Sequence, residues 1–313
     1  MKFILKVVAV SLIVLIAIIS LLFGHRDIPL EDLKAKYAPA PSQFISIDGM
    51  DVHFRDEGPS SDSIPLVLIH GTGASLHTYE PWVQTLKEKR RVLRMDLPAF
   101  GLTGPLPSRD YSLSNYVHFI KNFLDAKGIT KCHLAGNSLG GLIAWGFTAE
   151  HPEMVEKLIL IDAAGYAMKS KIVPIAFKIA QTPLLNKVMT FITPRFMVKS
   201  SVENVYADKY LVNDALVDRY FELTLRAGNR QALVDRMTMV IDSIPIDRVK
   251  NIQQSTLVLW GAKDYLIPVS EASRFHEDLP NDTLVILPSA GHVPMEEQPE
   301  ESLAVLMSFL DID

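Results

Sequence analysis

The sequence predicts an α/β fold: a mostly parallel central sheet with helices on both faces and an inserted helical cap. Two patterns carry that reading. Short apolar runs recur at Leu66-Val67-Leu68-Ile69, at Val92-Leu93 before Asp96, at Leu158-Ile159-Leu160-Ile161 and at Leu257-Val258-Leu259-Trp260. They are too short for helices and unbroken by polar residues, as strands covered on both faces are. Helical stretches such as 79–89 and 113–126 lie between them, and such alternation sets strands in parallel. From about Ala164 to Lys250 the strand signal stops. Apolar residues there recur at helical spacing, interrupted by Pro174, Pro183 and Pro194, so the stretch reads as a helical insertion between two strands.

In chain order, residues 7–24 carry no charge and as a helix would reach about 27 Å, close to the roughly 30 Å core of a bilayer. The expectation is an uncleaved membrane anchor rather than a removed signal, because the only A-x-A, Ala38-Pro39-Ala40, lies far downstream and is followed by Pro41. Lys2 and Lys6 face Arg26, Lys34 and Lys36 across the segment; the very short amino-terminal tail argues for its staying inside, with the globular part exported to the periplasmic or extracellular side. After a Pro-containing linker at 37–42, Phe44-Ile45-Ser46-Ile47 and Val52-His53-Phe54-Arg55 alternate around Asp48-Gly49-Met50, a hairpin pattern. A last strand is expected at 283–287 and an amphipathic helix at about 299–310. The domain reading is therefore an anchor or signal at 1–24, a core at 25–163 and 251–313, and a cap at 164–250.

Within the cap, residues 163–202 contain no Asp or Glu, yet Lys169, Lys171, Lys178, Lys187, Arg195 and Lys199 are spread among apolar residues. Two expectations stay open: a basic, apolar face that itself touches an anionic membrane surface, with the anchor already holding it nearby, or a solvated lysine face over packed helices.

With 313 residues, 48% of them apolar, the chain can bury a large core. Its 31 Lys and Arg against 36 Asp and Glu leave a net charge of −5 and no general attraction to nucleic acid. The single cysteine, Cys132, excludes an intrachain disulfide and a thiolate zinc cluster, and reads as a small buried hydrophobe. No metal cluster and no dinucleotide fingerprint appears, so no cofactor is expected.

Chemistry in such sheets collects at the carboxyl ends of strands, where Gly71, Asp96, Ser138, Asp162 and Asp264 fall. The stretch Leu134-Ala135-Gly136-Asn137-Ser138-Leu139-Gly140-Gly141 sets Ser138 on a sharp strand-to-helix turn, with glycines two residues to either side removing Cβ atoms that would clash. Downstream come Trp260-Gly261-Ala262-Lys263-Asp264 and then Ala290-Gly291-His292. A serine hydroxyl is a poor nucleophile at neutral pH; an imidazole must take its proton and a carboxylate must hold that imidazole in the right tautomer.

The order Ser138, Asp264, His292, together with His70-Gly71-Thr72-Gly73 and Asp96-Leu97-Pro98-Ala99-Phe100-Gly101, resembles the α/β-hydrolase family and, within it, the capped serine esterases and lipases. Ala99 departs from the glycine many relatives carry and touches no chemistry. The resemblance implies Ser138 as nucleophile, His292 as base and Asp264 as acid. Asp162 remains a rival acid, since the family may place that residue after either of two neighbouring strands; its other reading is a cap for the start of the insertion. The resemblance also implies the amides of Thr72 and Leu139 as the oxyanion hole, and for His70 a structural role beside the glycine loop.

The function that follows is hydrolysis of carboxylic esters with apolar acyl chains, with a small-molecule or lipid ester as substrate. A carbon-carbon bond hydrolase of ring-cleavage products, using the same triad, is the alternative. Such an enzyme needs cationic or polar cap groups for a substrate carboxylate. A non-catalytic hydrolase-like binding protein would typically have lost a triad member, and this chain retains all three.

Overall fold

A computed structural model describes residues 11, 21–167, 171–239 and 245–312. Helix α1 (Leu30–Tyr37) leads into β1 (Gln43–Ile47) and β2 (Met50–Glu57), followed by β3 (Leu66–Ile69), α2 (Glu80–Leu86), β4 (Val92–Met95), α3 (Leu113–Ala126), β5 (Cys132–Asn137), α4 (Leu139–Glu150) and β6 (Val155–Ile161). The insertion then supplies α5 (Ile175–Gln181), α6 (Leu185–Met189), α7 (Arg195–Glu203), α8 (Asp214–Thr224) and α9 (Asn229–Thr238). The chain returns to the sheet as β7 (Ser255–Gly261), α10 (Ser270–Asp278) and β8 (Asp282–Leu287), and closes with α11 (Pro294–Glu297) and α12 (Pro299–Phe309).

The strands form one sheet in the order β1-β2-β4-β3-β5-β6-β7-β8, with β2 antiparallel to both its neighbours, β1 and β4, and the other pairings parallel. The hairpin closes through Asp48-Gly49, both at positive φ (52° and 78°), the conformation that a tight two-residue turn between twisted strands requires. In the parallel strands, side chains alternate between two apolar layers. Val67, Ile69, Leu158, Leu160, Val258 and Trp260 meet α3, α4 and α10 on one face. Leu66, Leu68, Ile159, Ile161, Leu257 and Leu259 meet Trp82 and Leu86 of α2 and Leu306 of α12 on the other. Both faces being covered, the strands read as unbroken apolar runs. Cys132 is buried in β5, and burial pushes its thiol up to about 12.

The expected membrane anchor at residues 7–24, and the exported localisation drawn from it, are corrected here. Among the described residues no helix is long and apolar enough to cross a membrane. Most of that segment lies outside the described residues, and its described end meets the cap instead. Phe23 sets its ring edge-on to Phe196 with centroids 5.8 Å apart, Gly24 bridges Ile192, and the His25 amide donates to Phe191 O. An uncharged stretch of that length records a need for burial without saying what buries it. The membrane-facing reading of the cap loses the anchor expected to hold it nearby.

Asp96, beyond β4, is wholly buried and ties three segments together: His53 Nδ1 at 2.7 Å, the Leu76 amide at 2.7 Å and the Leu102 amide at 2.7 Å. Gly101 is required beside it, since a Cβ there would lie 2.2 Å from the Asp96 carboxyl carbon. Burial pushes the Asp96 carboxyl up, but His53, by charge and hydrogen bond, more than offsets this and holds it below the ordinary carboxylate range. The stabilisation is therefore complete above the unfolded-state value of about 3.9 and is lost as pH falls through the folded value. Urea unfolding should show Asp96→Ala destabilised by about 3–5 kcal/mol at pH 7, the cost of leaving a buried pair half-made, and Asp96→Asn with a flatter loss of stability below about pH 4 than the wild type.

Candidate active site

Ser138 stands between the last residue of β5 and the first of α4 with φ 55° and ψ −115°, a conformation that costs a side-chain-bearing residue about 1–3 kcal/mol and persists only where its surroundings impose it. They do so through backbone contacts too close for side chains. A Cβ on Gly136 would lie 2.1 Å from Gly140 O, and one on Gly140 would lie 2.1 Å from Ile69 O. The turn is fixed by hydrogen bonds from Ser138 N to Ile161 O at 3.0 Å, and from the Leu142 and Ala164 amides to Ser138 O.

His292 follows β8, and its Nδ1 lies 2.6 Å from Asp264 Oδ2 beyond β7. Asp264 is itself held by two amides on its other oxygen, Leu266 at 2.8 Å and Ile267 at 3.0 Å. With Nδ1 spent on the carboxylate, the imidazole keeps Nε2 for chemistry. Ser138 and His292 border one cavity without a hydrogen bond between them, a contact that often tightens only around substrate.

The glycine loop borders the same cavity through Gly71, Thr72 and Gly73. It lies against the serine turn, since a Cβ on Gly71 would come within 3.1 Å of Ser138 Cβ. His70 holds the loop from beneath: Nδ1 donates to Gly71 O at 2.8 Å and Nε2 accepts from the Leu97 amide at 2.9 Å. Full burial lowers its pKa, which keeps the ring neutral and suits it to one donor and one acceptor role. Leu139 is the first residue of α4, so its amide has no acceptor within the helix. Its side chain turns away from the cavity toward Tyr111 and Tyr116.

Asp162 directly follows β6 in the left-handed region (φ 43°) and is wholly buried. Its Oδ1 accepts from the Gly261 amide at 3.0 Å, so it joins β6 to β7 rather than capping the start of the insertion. Burial, and then the nearby Asp264 carboxylate, push its own carboxyl well above the ordinary range. Asp162, Asp264 and His292 form the one group of three His or carboxylate donors among the described residues, with donor atoms within 4.8 Å of one another.

Sequence reading missed several supports of His292. Asn137 Nδ2 donates to His292 O at 2.9 Å and to Ile161 O at 3.2 Å, tying the serine turn to the histidine turn. The His292 amide donates to Val205 O in the cap at 2.8 Å, and Glu297 accepts from the Gly291 and Asp208 amides. Only the position of Asn137 inside the serine motif was visible beforehand; the rest are contacts between distant segments.

The cavity holds about 120 Å³, somewhat below the roughly 150 Å³ of an engineered apolar cavity that admits benzene. Phe177, Met189, Ile192, Met197, Val202 and Leu266 are among its apolar walls; Asn137, Thr193, Ser201, Tyr220 and Thr224 add uncharged polar groups. Among the described residues, no Lys, Arg, Asp or Glu lines it.

Residues 66–305 match the family model described as the alpha/beta hydrolase family. The chain belongs to that family. A hydrolase from Metapseudomonas resinovorans, 2-hydroxy-6-oxo-6-(2'-aminophenyl)hexa-2,4-dienoic acid hydrolase, is 26% identical over 86% of this chain and 90% of its own length. Among solved structures, a membrane phospholipase A described as a bacterial virulence factor is 28% identical, with a TM-score of 0.73, covering 99% of this chain and 98% of its own. A meta-cleavage product hydrolase from Pseudomonas fluorescens IP01 has a TM-score of 0.74 at 23% identity, over 86% of this chain and 97% of its own, a likeness of fold.

The glycines at the turn yield a test independent of substrate. Gly140→Ala would press a Cβ into the backbone of β3, so it should lower the thermal midpoint markedly or prevent soluble folding. A variant with an unchanged midpoint by calorimetry would remove the steric account of this turn.

Proposed function

We propose that this hydrolase cleaves carboxylic esters with apolar acyl chains through an acyl-enzyme on Ser138. His292 takes the hydroxyl proton as Ser138 attacks the ester carbonyl, and Asp264 holds the imidazole and stabilises it while it is charged. The amides of Thr72 and Leu139 receive the negative charge on the carbonyl oxygen; removing one such donor typically costs about 2.7–4 kcal/mol of transition-state stabilisation. His292 returns the proton to the departing alcohol, then activates a water that releases the acid and restores Ser138.

The observation that carries this reading is the cavity beside Ser138: apolar on most sides, with no cation among the described residues that line it. An acyl chain buried there gains on the order of 0.8 kcal/mol per methylene. A substrate carboxylate in the same place would be desolvated without a partner, at a cost of several kcal/mol. That weighs against carbon-carbon hydrolysis of acidic ring-cleavage products, the kind of substrate named for the Metapseudomonas resinovorans relative. The likeness to a phospholipase A adds support for ester cleavage.

Ser138→Ala should abolish hydrolysis of p-nitrophenyl esters to near the uncatalysed rate while leaving the thermal midpoint close to wild type. Asp264→Asn should lower kcat by about 10⁴-fold, as wrong-tautomer variants do. Turnover near wild type in either would remove that residue from its role. Across esters of graded acyl length beside one vinylogous diketone acid, kcat/KM should favour the esters; a preference for the acid would establish carbon-carbon hydrolysis instead.

A further inference from the structure

We infer that Asp162 serves as a positioning residue, held as a neutral carboxylic acid whose proton is shared with Asp264, and that it thereby fixes the carboxylate that orients His292. The inference rests on the assignment of Asp264 and His292 above, and it concerns a residue that the reaction steps do not use.

Three observations lead to it. Asp162 is wholly inaccessible, and among the described residues its side chain makes one hydrogen bond, accepting from the Gly261 amide at Oδ1 alone. Its Oδ2 is buried with no hydrogen-bond partner among the described residues. A carboxylate placed so would leave a charge paired by a single neutral amide, an arrangement that proteins relieve by protonation. Finally, carboxylate oxygens of Asp162 and Asp264 lie in one cluster with the His292 imidazole, all within 4.8 Å. Two carboxylates that close, screened from water, do not both ionise at neutral pH. The groups acting on Asp162 are Asp264 from the turn after β7 and Glu297 from α11, both of them acidic, with His292 in the same cluster. Asp264 is the member that stays ionised, because it has two amides and the imidazole as partners while Asp162 has one amide. An orphaned oxygen beside a carboxylate is thus resolved by one proton: Oδ2 of Asp162 becomes the donor and Asp264 the acceptor. Asp264 then accepts from the Leu266 and Ile267 amides, His292 and Asp162, which immobilises it from every side.

The test separates a neutral Asp162 from an ionised one by the sign of a shift. In the pH profile of kcat/KM, the acidic limb reports protonation of the free enzyme's base. Asp162→Asn replaces a neutral acid with a neutral amide that can still donate to Asp264 and accept from Gly261, so the limb should stay where it is in the wild type. Asp162→Ala removes the donor; Asp264 is then left more strongly drawn to the imidazolium, kcat should fall by about ten- to a hundredfold, and the limb should move to higher pH. Asn should recover a large part of the activity that Ala loses. Were Asp162 ionised, Asp162→Asn would delete a negative charge near the imidazole and move the limb down by about one to three units, which would overturn the inference.

A second measurement does not depend on turnover. A raised carboxyl costs stability as pH rises above the unfolded value, so urea midpoints should show Asp162→Asn gaining on the wild type between about pH 4 and pH 8. A difference independent of pH would also overturn it. Should the variants not fold, the infrared spectrum of the wild type at pH 8 should still carry the carbonyl stretch of a buried neutral carboxyl, and its absence would count against the proposal. Failure of Ser138→Ala to inactivate would instead strike the hydrolase mechanism and leave the stability and infrared results standing.

Discussion

The bond between His292 Nδ1 and Asp264 Oδ2 joins two turns that belong to neighbouring parallel strands, and its 2.6 Å length depends on almost every other feature of the fold. The paired registers of β7 and β8 bring the turns side by side at one edge of the sheet. Neither turn is free. Asp264 is pinned by the amides of Leu266 and Ile267, the histidine turn by Asn137 and by Glu297. Because Asn137 immediately precedes Ser138, the side chain that steadies His292 is carried by the same strained turn that presents Ser138. Displacing either group displaces the other, which is how a fold fixes groups to the fraction of an ångström that catalysis demands.

What could be read from sequence and what could not divide along a physical line. The parallel strands were legible because burial on both faces leaves no polar position within them, and the hairpin because Asp48-Gly49 supplies two positive-φ residues in a row. Ser138 was legible because its conformation needs Gly136 and Gly140, a local requirement written in adjacent residues. Asp264 and His292 became visible through their own turn motifs. Asn137 bonding to His292, 155 residues away, has no local signature, nor does the Val205 carbonyl that receives the His292 amide. Asp162 looked like a rival acid for the same reason: the sequence sets it at a strand end but not beside another carboxylate. The reading of residues 7–24 failed on a different point. Hydropathy measures the advantage of leaving water, and it is silent on whether lipid or protein receives the segment.

The inserted helices are attached unequally, and the asymmetry bears on how a substrate reaches Ser138. The stretch around α7 and α8 is locked to the core by buried polar groups. Glu296, next to the histidine turn, accepts from Thr78 of the core and from Tyr206, Arg219 and Tyr220 of the cap, and Glu297 accepts from the Asp208 amide. Polar groups of this kind, once buried, are costly to separate, so this part of the cap moves only with the histidine turn. The earlier stretch is different. Phe177, Met189 and Ile192 line the cavity, yet Ile175, Leu184, Leu185, Val188 and Phe191 of the same stretch are exposed to solvent. Its described link to the core sheet's loops is a pair of amides, Lys171 and Ile172, donating to Tyr265 O. Apolar contacts are non-directional and are remade after sliding, whereas the Glu296 cluster must be broken to move. The direction of least resistance toward Ser138 therefore runs under α5 and α6, whose contacts are apolar, while the polar side of the cap keeps His292 in place.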